Sequence, residues 1–248
     1  MVTGAGVSLA SGIPTFRGTD PDAIWARDVT ELGTFGYFRE DPVGSWRWYL
    51  YRFNKLRDAQ PNAAHRACVE LEQWQTARGG DFLLLTQNID CLHRQAGSQR
   101  LVEVHGRSDR ARCSREGCEL GSPRGSVPQA SLDLASFERA PSLQTVPRCP
   151  KCQSPLRQHV LWFDEYYSSH DDYQFDRVIG ASELCEVIVF VGTSFSVGVT
   201  ELLLRAGLVR QTPMFSVDPS GCVPTKRMVS IPEPAEAALP ALVSILAG

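Results

Sequence analysis

Four cysteines stand in two closely spaced pairs, and this spacing suits a metal ion. The pairs have the forms C-x4-C and C-x2-C and consist of Cys113, Cys118, Cys149 and Cys152. Four thiolates fit a tetrahedral Zn2+ ion, and because the protein fills all four positions, the ion would be structural rather than hydrolytic. The alternative is two disulfides, which we disfavour because the chain opens on "MVTGAG" without a charged-then-apolar leader. We expect a cytoplasmic protein.

The segment "GAGVSLASGIPTFRG", from Gly4 to Gly18, has the glycines of an anion-binding turn. Gly4 and Gly6 follow a predicted strand, where a glycine backbone can approach a phosphate closely, and the following helix would offer free N–H groups to an anion. The spacing departs from GxGxxG because Leu9 stands where the third glycine would fall. The alternative is a tight strand-to-helix turn without a ligand.

Three hydrogen-bonding side chains directly follow a second predicted strand. They are Gln87, Asn88 and Asp90 of "TQNIDCLHRQAG", from Thr86 to Gly97. Open α/β sheets bind their ligands at the carboxyl ends of parallel strands, so these side chains are placed to recognise a sugar and an amide. A polar loop with a helix cap is the alternative.

His105 ends a short predicted strand in "LVEVHGRSD", with a conformationally permissive glycine beside it. An imidazole at such an edge is suited to act as a general base near neutral pH. The alternative is a structural histidine with satisfied hydrogen bonds. Further along, "HVLWFDE", from His159 to Glu165, could offer its backbone edge to a peptide or form a plain core strand.

Elements that alternate along the chain must position these residues. The runs "DFLLLTQNID", "CEVIVFVGTS" and "PMFSVDPS" have the continuous apolar character of strands that are buried on both faces. Helical patterns lie between them, from Asn62 to Gln75 and from Glu201 to Gln211. This alternation predicts an α/β fold: a Rossmann-like parallel sheet with helices on both faces, plus a smaller zinc-binding and helical domain inserted into it.

Two regions break the alternation and divide the chain. We expect residues 1–19, 60–109 and 157–248 to form the Rossmann-like domain, which would bind the cofactor. Residues 20–59, a helical module, and residues 110–156, a zinc-binding module, would form the small domain.

Composition limits the functions that the chain can have. Its 248 residues are 43% hydrophobic, which supports a sizeable core. With 25 basic and 28 acidic residues, the net charge of -3 gives no global attraction to nucleic acid or to an anionic membrane. Arginines around Cys113 leave a zinc-ribbon nucleic-acid module as a minor alternative, and no apolar run is long enough to span a bilayer. We expect a monomer.

Taken in order, these motifs resemble those of the sirtuin family, the NAD-dependent protein-lysine deacylases. The match runs from "GAGVSLASGIPTFRG" through "TQNIDCLHRQAG", "EVHG", the four cysteines and "HVLWFDE" to "VGTSFSV". The resemblance implies NAD and one structural Zn2+ ion as cofactors, with acyl-lysine proteins or peptides as substrates. Hydrolysis of NAD or ADP-ribosyl transfer to protein is the alternative for the same cofactor site.

The resemblance also implies roles for individual residues. His105 would deprotonate a ribose hydroxyl after nicotinamide leaves, and Asn88 would position ribose and water, so that the products are nicotinamide, lysine and O-acyl-ADP-ribose. The substrate peptide would pair, as an added strand, with Val160, Leu161, Trp162 and Phe163. NAD would be bound by Gly4, Ala5, Gly6, Ser8, Ala10, Pro14, Thr15, Phe16, Arg17, Gln87, Asn88, Ile89, Asp90, His105, Gly192, Thr193, Ser194, Asp218 and Cys222.

Tyr49 and Arg52 lie in the aromatic stretch "SWRWYLYRF", on a predicted helix that Asp41 would cap and Pro42 would begin. Because they are three residues apart, they share a helix face. Some sirtuins carry the same pair, where it resembles a reader of acyl groups that end in a carboxylate, since a guanidinium binds a carboxylate bidentately. We therefore expect succinyl-, malonyl- or glutaryl-lysine as the preferred substrate. The alternatives are that Arg52 stacks on a tyrosine or faces solvent, and that the enzyme is a general deacetylase.

Three features depart from the family pattern. The first strand is cut to residues 1–3, so either residues precede Met1 or this strand is unusually short. Asp218 stands where many relatives carry an asparagine that contacts the adenosine ribose, and a carboxylate can still accept hydrogen bonds from ribose. Asp164 replaces a common glycine, and we expect it to alter the edge of the substrate groove.

Overall fold

A computed structural model describes residues 1–14 and 29–247. Thr15, Phe16 and Arg17, which the sequence assigns to NAD binding, lie outside the described residues. Strands are numbered in chain order. They are β1 (Val2–Thr3), β2 (Leu84–Thr86), β3 (Leu101–Glu103), β4 (Gly106–Cys113), β5 (Val127–Pro128), β6 (Leu156–Val160), β7 (Ile188–Val191), β8 (Met214–Val217) and β9 (Met228–Ile231).

Helices are likewise numbered in chain order. They are α1 (Val29–Leu32), α2 (Phe35–Glu40), α3 (Pro42–Leu56), α4 (Ala63–Ala77), α5 (Leu92–Ala96), α6 (Leu134–Arg139), α7 (Phe175–Leu184), α8 (Gly198–Arg210) and α9 (Ala235–Ala247). The two helical patterns of the sequence correspond to α4 and α8. Within the described ranges, none of the helices combines the length and the apolar composition needed to cross a bilayer.

Six strands form a parallel sheet in the order β3-β2-β1-β7-β8-β9. Successive residues of a strand point to opposite faces. Leu84 accordingly packs in a core with residues of α4 and α9, whereas Leu85 packs in a second core with Val178 of α7 and Leu203 of α8. The sheet is therefore buried on both faces by helices, as the apolar runs predict.

Three strands form a separate antiparallel sheet in the order β5-β4-β6. Its core unites the sheet with the aromatic residues of α3, with α6 and with the segment after β6, and includes Trp46, Tyr49, Phe53, Phe137 and Trp162. Strand β4 begins at Gly106, so this sheet reaches into the range 60–109 that the sequence assigns to the larger domain. The exact domain division stays a prediction.

The start of α3 follows the sequence expectation. Asp41 accepts a hydrogen bond from Gly44 N (2.8 Å), and Pro42 occupies the first turn. The segment after β1 differs, because Ala5–Ser11 forms a 3-10 helix and not the α-helix that the glycine motif suggests. This tighter helix ends at Gly12, whose φ of 82° lies in the left-handed region.

Candidate active site

The loops after β1 and β7 pack against each other through glycine backbone. Gly4 N donates to Val191 O (3.0 Å), and Gly6 N donates to Gly192 O (2.9 Å). A Cβ atom on Gly4 would lie 2.6 Å from Gly192 O, and one on Gly6 would lie 2.6 Å from Gly192 Cα. The structure thus gives these glycines a different reason from the one inferred from sequence, namely contact between two loops. Their role in binding NAD stays a prediction.

Side chains from the loops after β1 and β2 form a continuous polar network. Asn88 Nδ2 donates to Gly4 O (3.0 Å) and to Ser8 Oγ (3.1 Å). Ser8 Oγ donates to Asp90 Oδ2 (2.7 Å), and Asp90 Oδ1 accepts from Leu92 N (3.0 Å). Burial raises the pKa of Asp90, and these hydrogen bonds oppose that shift. The network fixes the Asn88 amide before any ligand binds.

Gln87 joins the loop after β2 to the loop after β7. Its Nε2 donates to Thr3 O (3.2 Å) and to Thr193 Oγ1 (3.1 Å). The next residue, Ser194, is exposed, and its Oγ lies 2.8 Å from Ser196 Oγ. This convergence follows from the sheet order, because β1 lies between β2 and β7 and the carboxyl ends of all three strands meet at one edge.

The imidazole of His105 is held in one orientation and one tautomer. Its Nδ1 lies 2.8 Å from Gln87 O, and because a carbonyl oxygen can only accept, Nδ1 carries the proton. Nε2 therefore presents its lone pair, 3.4 Å from Tyr167 Oη, and the two rings are stacked with centroids 5.8 Å apart. Burial lowers the pKa of His105, and the contact with Gln87 O opposes that shift. A neutral imidazole with a free Nε2 is equipped to act as a base.

Two residues of this site were missed by the sequence reasoning. Tyr167, which stacks on the base, lies in a stretch that reads only as acidic and tyrosine-rich. Asn62 caps α4 through Ala64 N (2.9 Å), while its Nδ2 donates to Val7 O (2.8 Å) and to Ser11 Oγ (3.0 Å). An asparagine before a helical pattern signals the cap. No short sequence pattern indicates that the Asn62 side-chain amide also donates to the 3-10 helix after β1.

The other described residues that are assigned to NAD binding belong to the loops after β1, β2 and β8. Ala5 is half-buried and Ala10 is exposed on the 3-10 helix, and half-buried Pro14 follows it. After β8, Asp218 Oδ1 accepts from Ser220 N (3.0 Å), and Cys222 is exposed. Ile89, which is also assigned to NAD binding, is half-buried and packs against the core of the antiparallel sheet.

The four paired cysteines converge on one point. The sulfur atoms of Cys113 and Cys152 are 3.4 Å apart, those of Cys118 and Cys149 are 3.7 Å apart, and all four lie within 4.8 Å of one another. A disulfide needs about 2.0 Å between its sulfur atoms. Sulfur ligands on a tetrahedral Zn2+ ion, each at about 2.3 Å from the metal, are about 3.8 Å apart. The cluster therefore fits zinc and not two disulfides, as the sequence predicts.

Comparison with known proteins identifies the family. The model of the Sir2 family matches residues 4–199. The chain belongs to the Sir2 family. The resemblance to sirtuins is thereby confirmed at the level of the family.

Individual Sir2 relatives match over most of their length. An NAD-dependent protein deacylase of Thermus thermophilus is 37% identical over 220 residues, which are 88% of this chain and 78% of that protein. An NAD-dependent protein deacylase of Aeropyrum pernix is 36% identical over 218 residues, with 88% and 79% covered. A solved complex of a Sir2 homolog with NAD has a TM-score of 0.80 and 34% identity, covering 99% of this chain and 88% of that one. The predicted fold class is confirmed.

In this member of the Sir2 family, Tyr49 and Arg52 are both buried, each with 4% of its surface exposed. Tyr49 stacks on Trp162, with ring centroids 6.1 Å apart and an interplanar angle of 25°. The guanidinium carbon of Arg52 lies 3.4 Å from the ring centre of Trp48. The alternative that Arg52 faces solvent is therefore wrong, and its stacking partner is a tryptophan. Burial raises the pKa of Tyr49, so its phenol stays protonated and can donate a hydrogen bond.

The segment after β6 links this pair to the base. Val160 ends β6, and Leu161 N donates to His105 O (2.8 Å). Phe163 N donates to Gly33 O (3.0 Å). These two N–H groups already have acceptors within the chain. Pairing of this segment with a substrate peptide stays a prediction, and it would have to use the other backbone N–H and C=O groups of the segment.

Asp164, which departs from the usual Sir2 glycine, fastens this segment to α2. Its Oδ1 accepts from Phe35 N (2.8 Å) and its Oδ2 accepts from Gly36 N (3.0 Å). A carboxylate at a helix N-terminus satisfies N–H groups that lack partners within the helix and interacts favourably with the helix dipole. The aspartate therefore holds the segment after β6 against α2.

We expect Asp164→Ala to lower the free energy of unfolding by about 1 kcal/mol, because two N–H groups of α2 lose a charged acceptor. Urea denaturation at neutral pH would measure the change. Asp58→Ala, which removes another exposed aspartate, serves as the control and should change the free energy by less than about 0.5 kcal/mol. Equal effects of the two substitutions would contradict a capping role.

We expect Cys149→Ser to abolish stoichiometric zinc binding, because one of four ligands is lost from a closed site. Zinc content after dialysis would fall from one ion per chain, and the melting temperature would fall with it. The control Cys222→Ser removes an exposed cysteine outside the cluster and should retain the ion. Zinc retention by the Cys149 variant would show that the four thiols are not the ligands.

Proposed function

We propose that this chain, an NAD-dependent protein deacylase of the Sir2 family, prefers succinyl-, malonyl- or glutaryl-lysine to acetyl-lysine. Membership of the Sir2 family and the names of the relatives support the general activity. The observation that carries the preference is the burial of both Tyr49 and Arg52. Tyr49 stacks on Trp162, and the residue before Trp162, Leu161, donates its N–H to His105 O.

The edge of the parallel sheet at which the strands end carries groups that such a reaction needs. NAD supplies the ribose carbon that accepts the acyl oxygen as nicotinamide leaves. With NAD bound, His105 Nε2 would accept a proton from a ribose hydroxyl, while its Nδ1–H stays on Gln87 O. Asn88 is held by Gly4 O and Ser8 Oγ and needs no reorganisation to position ribose and water.

The acyl preference follows from the geometry of a stacked guanidinium. Stacking on Trp48 uses the face of the Arg52 guanidinium, whereas hydrogen bonds to a carboxylate use its edge. Both contacts can therefore exist at once, and stacking does not argue against carboxylate binding. Tyr49, as a protonated phenol, adds a donor on the same helix face. An acetyl group offers neither donor an acceptor.

The same proposal extends to the binding partners, the oligomeric state and the cellular compartment. The substrates would be acyl-lysine proteins or peptides, and the enzyme would act as a cytoplasmic monomer without nucleic acid or membrane partners. The net charge of -3 supports the absence of an electrostatic attraction to nucleic acid. A cluster of four free thiols supports a reducing compartment.

We expect the acid limb of kcat/KM for a succinyl-lysine peptide to lie below the ordinary histidine pKa of about 6.5. Burial disfavours the imidazolium of His105, so the base form persists to lower pH and activity falls only below the lowered pKa. Initial rates measured at several pH values would locate the limb. Tyr166→Phe changes an exposed tyrosine and, as the control, should leave the limb in place. A limb above 6.5 would contradict a buried neutral base.

We expect Arg52→Met to lower kcat/KM for succinyl-lysine about a hundredfold, or about 2.7 kcal/mol, and to leave the value for acetyl-lysine unchanged. Steady-state assays on matched peptides, with mass spectrometry of the products, would measure both. Arg47→Met removes an exposed arginine of the same helix and should change neither value.

Three results would overturn different parts of the proposal. Equal or better turnover of acetyl-lysine by the wild-type enzyme, or full desuccinylation by the Arg52 variant, would contradict the acyl preference alone. If His105→Ala left NAD consumption unchanged and no peptide released lysine, the chain would be an NAD hydrolase or an ADP-ribosyltransferase.

A further inference from the structure

Three possible metal ligands lie together outside the candidate active site and the cysteine cluster. They are His159 on β6, and His170 and Asp172 at the 3-10 turn Asp171–Tyr173. His159 Nε2 lies 3.1 Å from Asp172 Oδ2, His170 Nδ1 lies 3.9 Å from the same oxygen, and one ligand atom from each residue lies within 4.8 Å of the others. Nitrogen and oxygen ligands on Zn2+ are about 3.3 Å apart in a tetrahedral site. Small side-chain shifts would therefore bring the three ligand atoms to the distances of a Zn2+ site.

The chemistry of the three side chains suits a divalent ion. Two imidazoles and one carboxylate are a ligand set that suits Zn2+. Both imidazoles are buried, whereas the Asp172 carboxylate reaches solvent.

The surroundings of each ring show which nitrogen could bind an ion. His170 Nε2 donates to Gly125 O (3.1 Å), so Nδ1 is the unprotonated nitrogen. Nδ1 accepts the Asp172 N–H (3.1 Å), and an ion on Nδ1 would replace that hydrogen bond. His159 is fully buried, and neither of its ring nitrogens makes a well-directed hydrogen bond. Such an unsatisfied buried imidazole is uncommon in folded proteins and would gain from a ligand.

Access and charge set limits on binding. The side chain of Asp172 is 47% exposed, so an ion and its coordinating water can enter from solvent. Arg112 and Arg157 lie near His159, and their positive charges oppose a cation. Both pair with Glu165, at 2.9 and 2.5 Å, which offsets part of that charge. The site would therefore bind Zn2+ more weakly than four thiolates do.

We propose that His159 Nε2, His170 Nδ1 and the Asp172 carboxylate form a second Zn2+ site, with water as the fourth ligand. The ion would tie β6 to the turn Asp171–Tyr173. Asp171 N already donates to Pro123 O (2.8 Å), so the same ion would fasten that part of the zinc-binding module. This site is independent of the deacylase activity.

The test is a Zn2+ titration of the full chain, with its cysteine site already loaded, against a chromophoric chelator. We expect one additional equivalent to bind to the wild type and none to Asp172→Asn, which keeps the shape of the side chain but loses the anionic ligand. Asp171→Asn removes the neighbouring carboxylate, which pairs with Arg124 at 3.0 Å, and is the matched control that should keep the second equivalent. Saturating Zn2+ should raise the melting temperature of the wild type and of the control only.

Cobalt distinguishes the two kinds of site. Co2+ on thiolates gives intense sulfur-to-metal charge-transfer absorption, whereas Co2+ on nitrogen and oxygen ligands gives only weak d–d bands. We expect the second equivalent to add weak bands alone. One equivalent in the wild type, an unchanged second equivalent in Asp172→Asn, or charge-transfer bands from the second equivalent would each overturn the proposal. None of these results bears on the acyl-lysine assays.

Discussion

The backbone contact between the loops after β1 and β7 is the constraint on which the candidate site depends. Gly4 and Gly6 approach Gly192 so closely that a Cβ on either would meet backbone atoms at 2.6 Å, and backbone cannot move aside as a flexible side chain can. Because Gly4 O accepts the Asn88 amide, this contact also sets where the amide lies, and Ser8 then follows through its own hydrogen bond. Three glycines therefore determine the position of polar groups that they do not carry.

A buried ion network restricts the position of Tyr49 in a comparable way. Glu165 accepts from Arg112 (2.9 Å), from Arg157 (2.9 Å) and from Trp162 N (3.0 Å), and the Arg157 guanidinium lies 3.2 Å from the centre of the Trp162 ring. Charges buried in this manner give little net stability as a group, but removal of one partner leaves another charge uncompensated. The network therefore restricts the position of Trp162, and Tyr49, which stacks on that ring, is restricted with it.

Features that depend on short stretches of chain could be predicted from the sequence. The buried strands, the Asp41 cap of α3 and the cysteine cluster each follow from a local pattern with one structural solution. Features that depend on approach between distant segments could not. Tyr167 meets His105 across 62 positions of sequence, and the need for glycine at position 192 exists only because another loop arrives there. Local chemistry thus identified the candidate base but not its neighbours.

The charge around Tyr49 adds a longer-range reason for the proposed acyl preference. Arg157 and Arg52 favour a negative charge at this position, whereas burial, the largest effect, and Glu165 oppose it. An anionic acyl group would have to offset its lost hydration by hydrogen bonds to Arg52 and Tyr49, and the charge of Arg157 would assist. An acetyl group loses less hydration but makes neither hydrogen bond. Burial therefore affects charges at both ends of the site. It disfavours the positively charged form of His105, and it strengthens the attraction between Arg52 and a carboxylate.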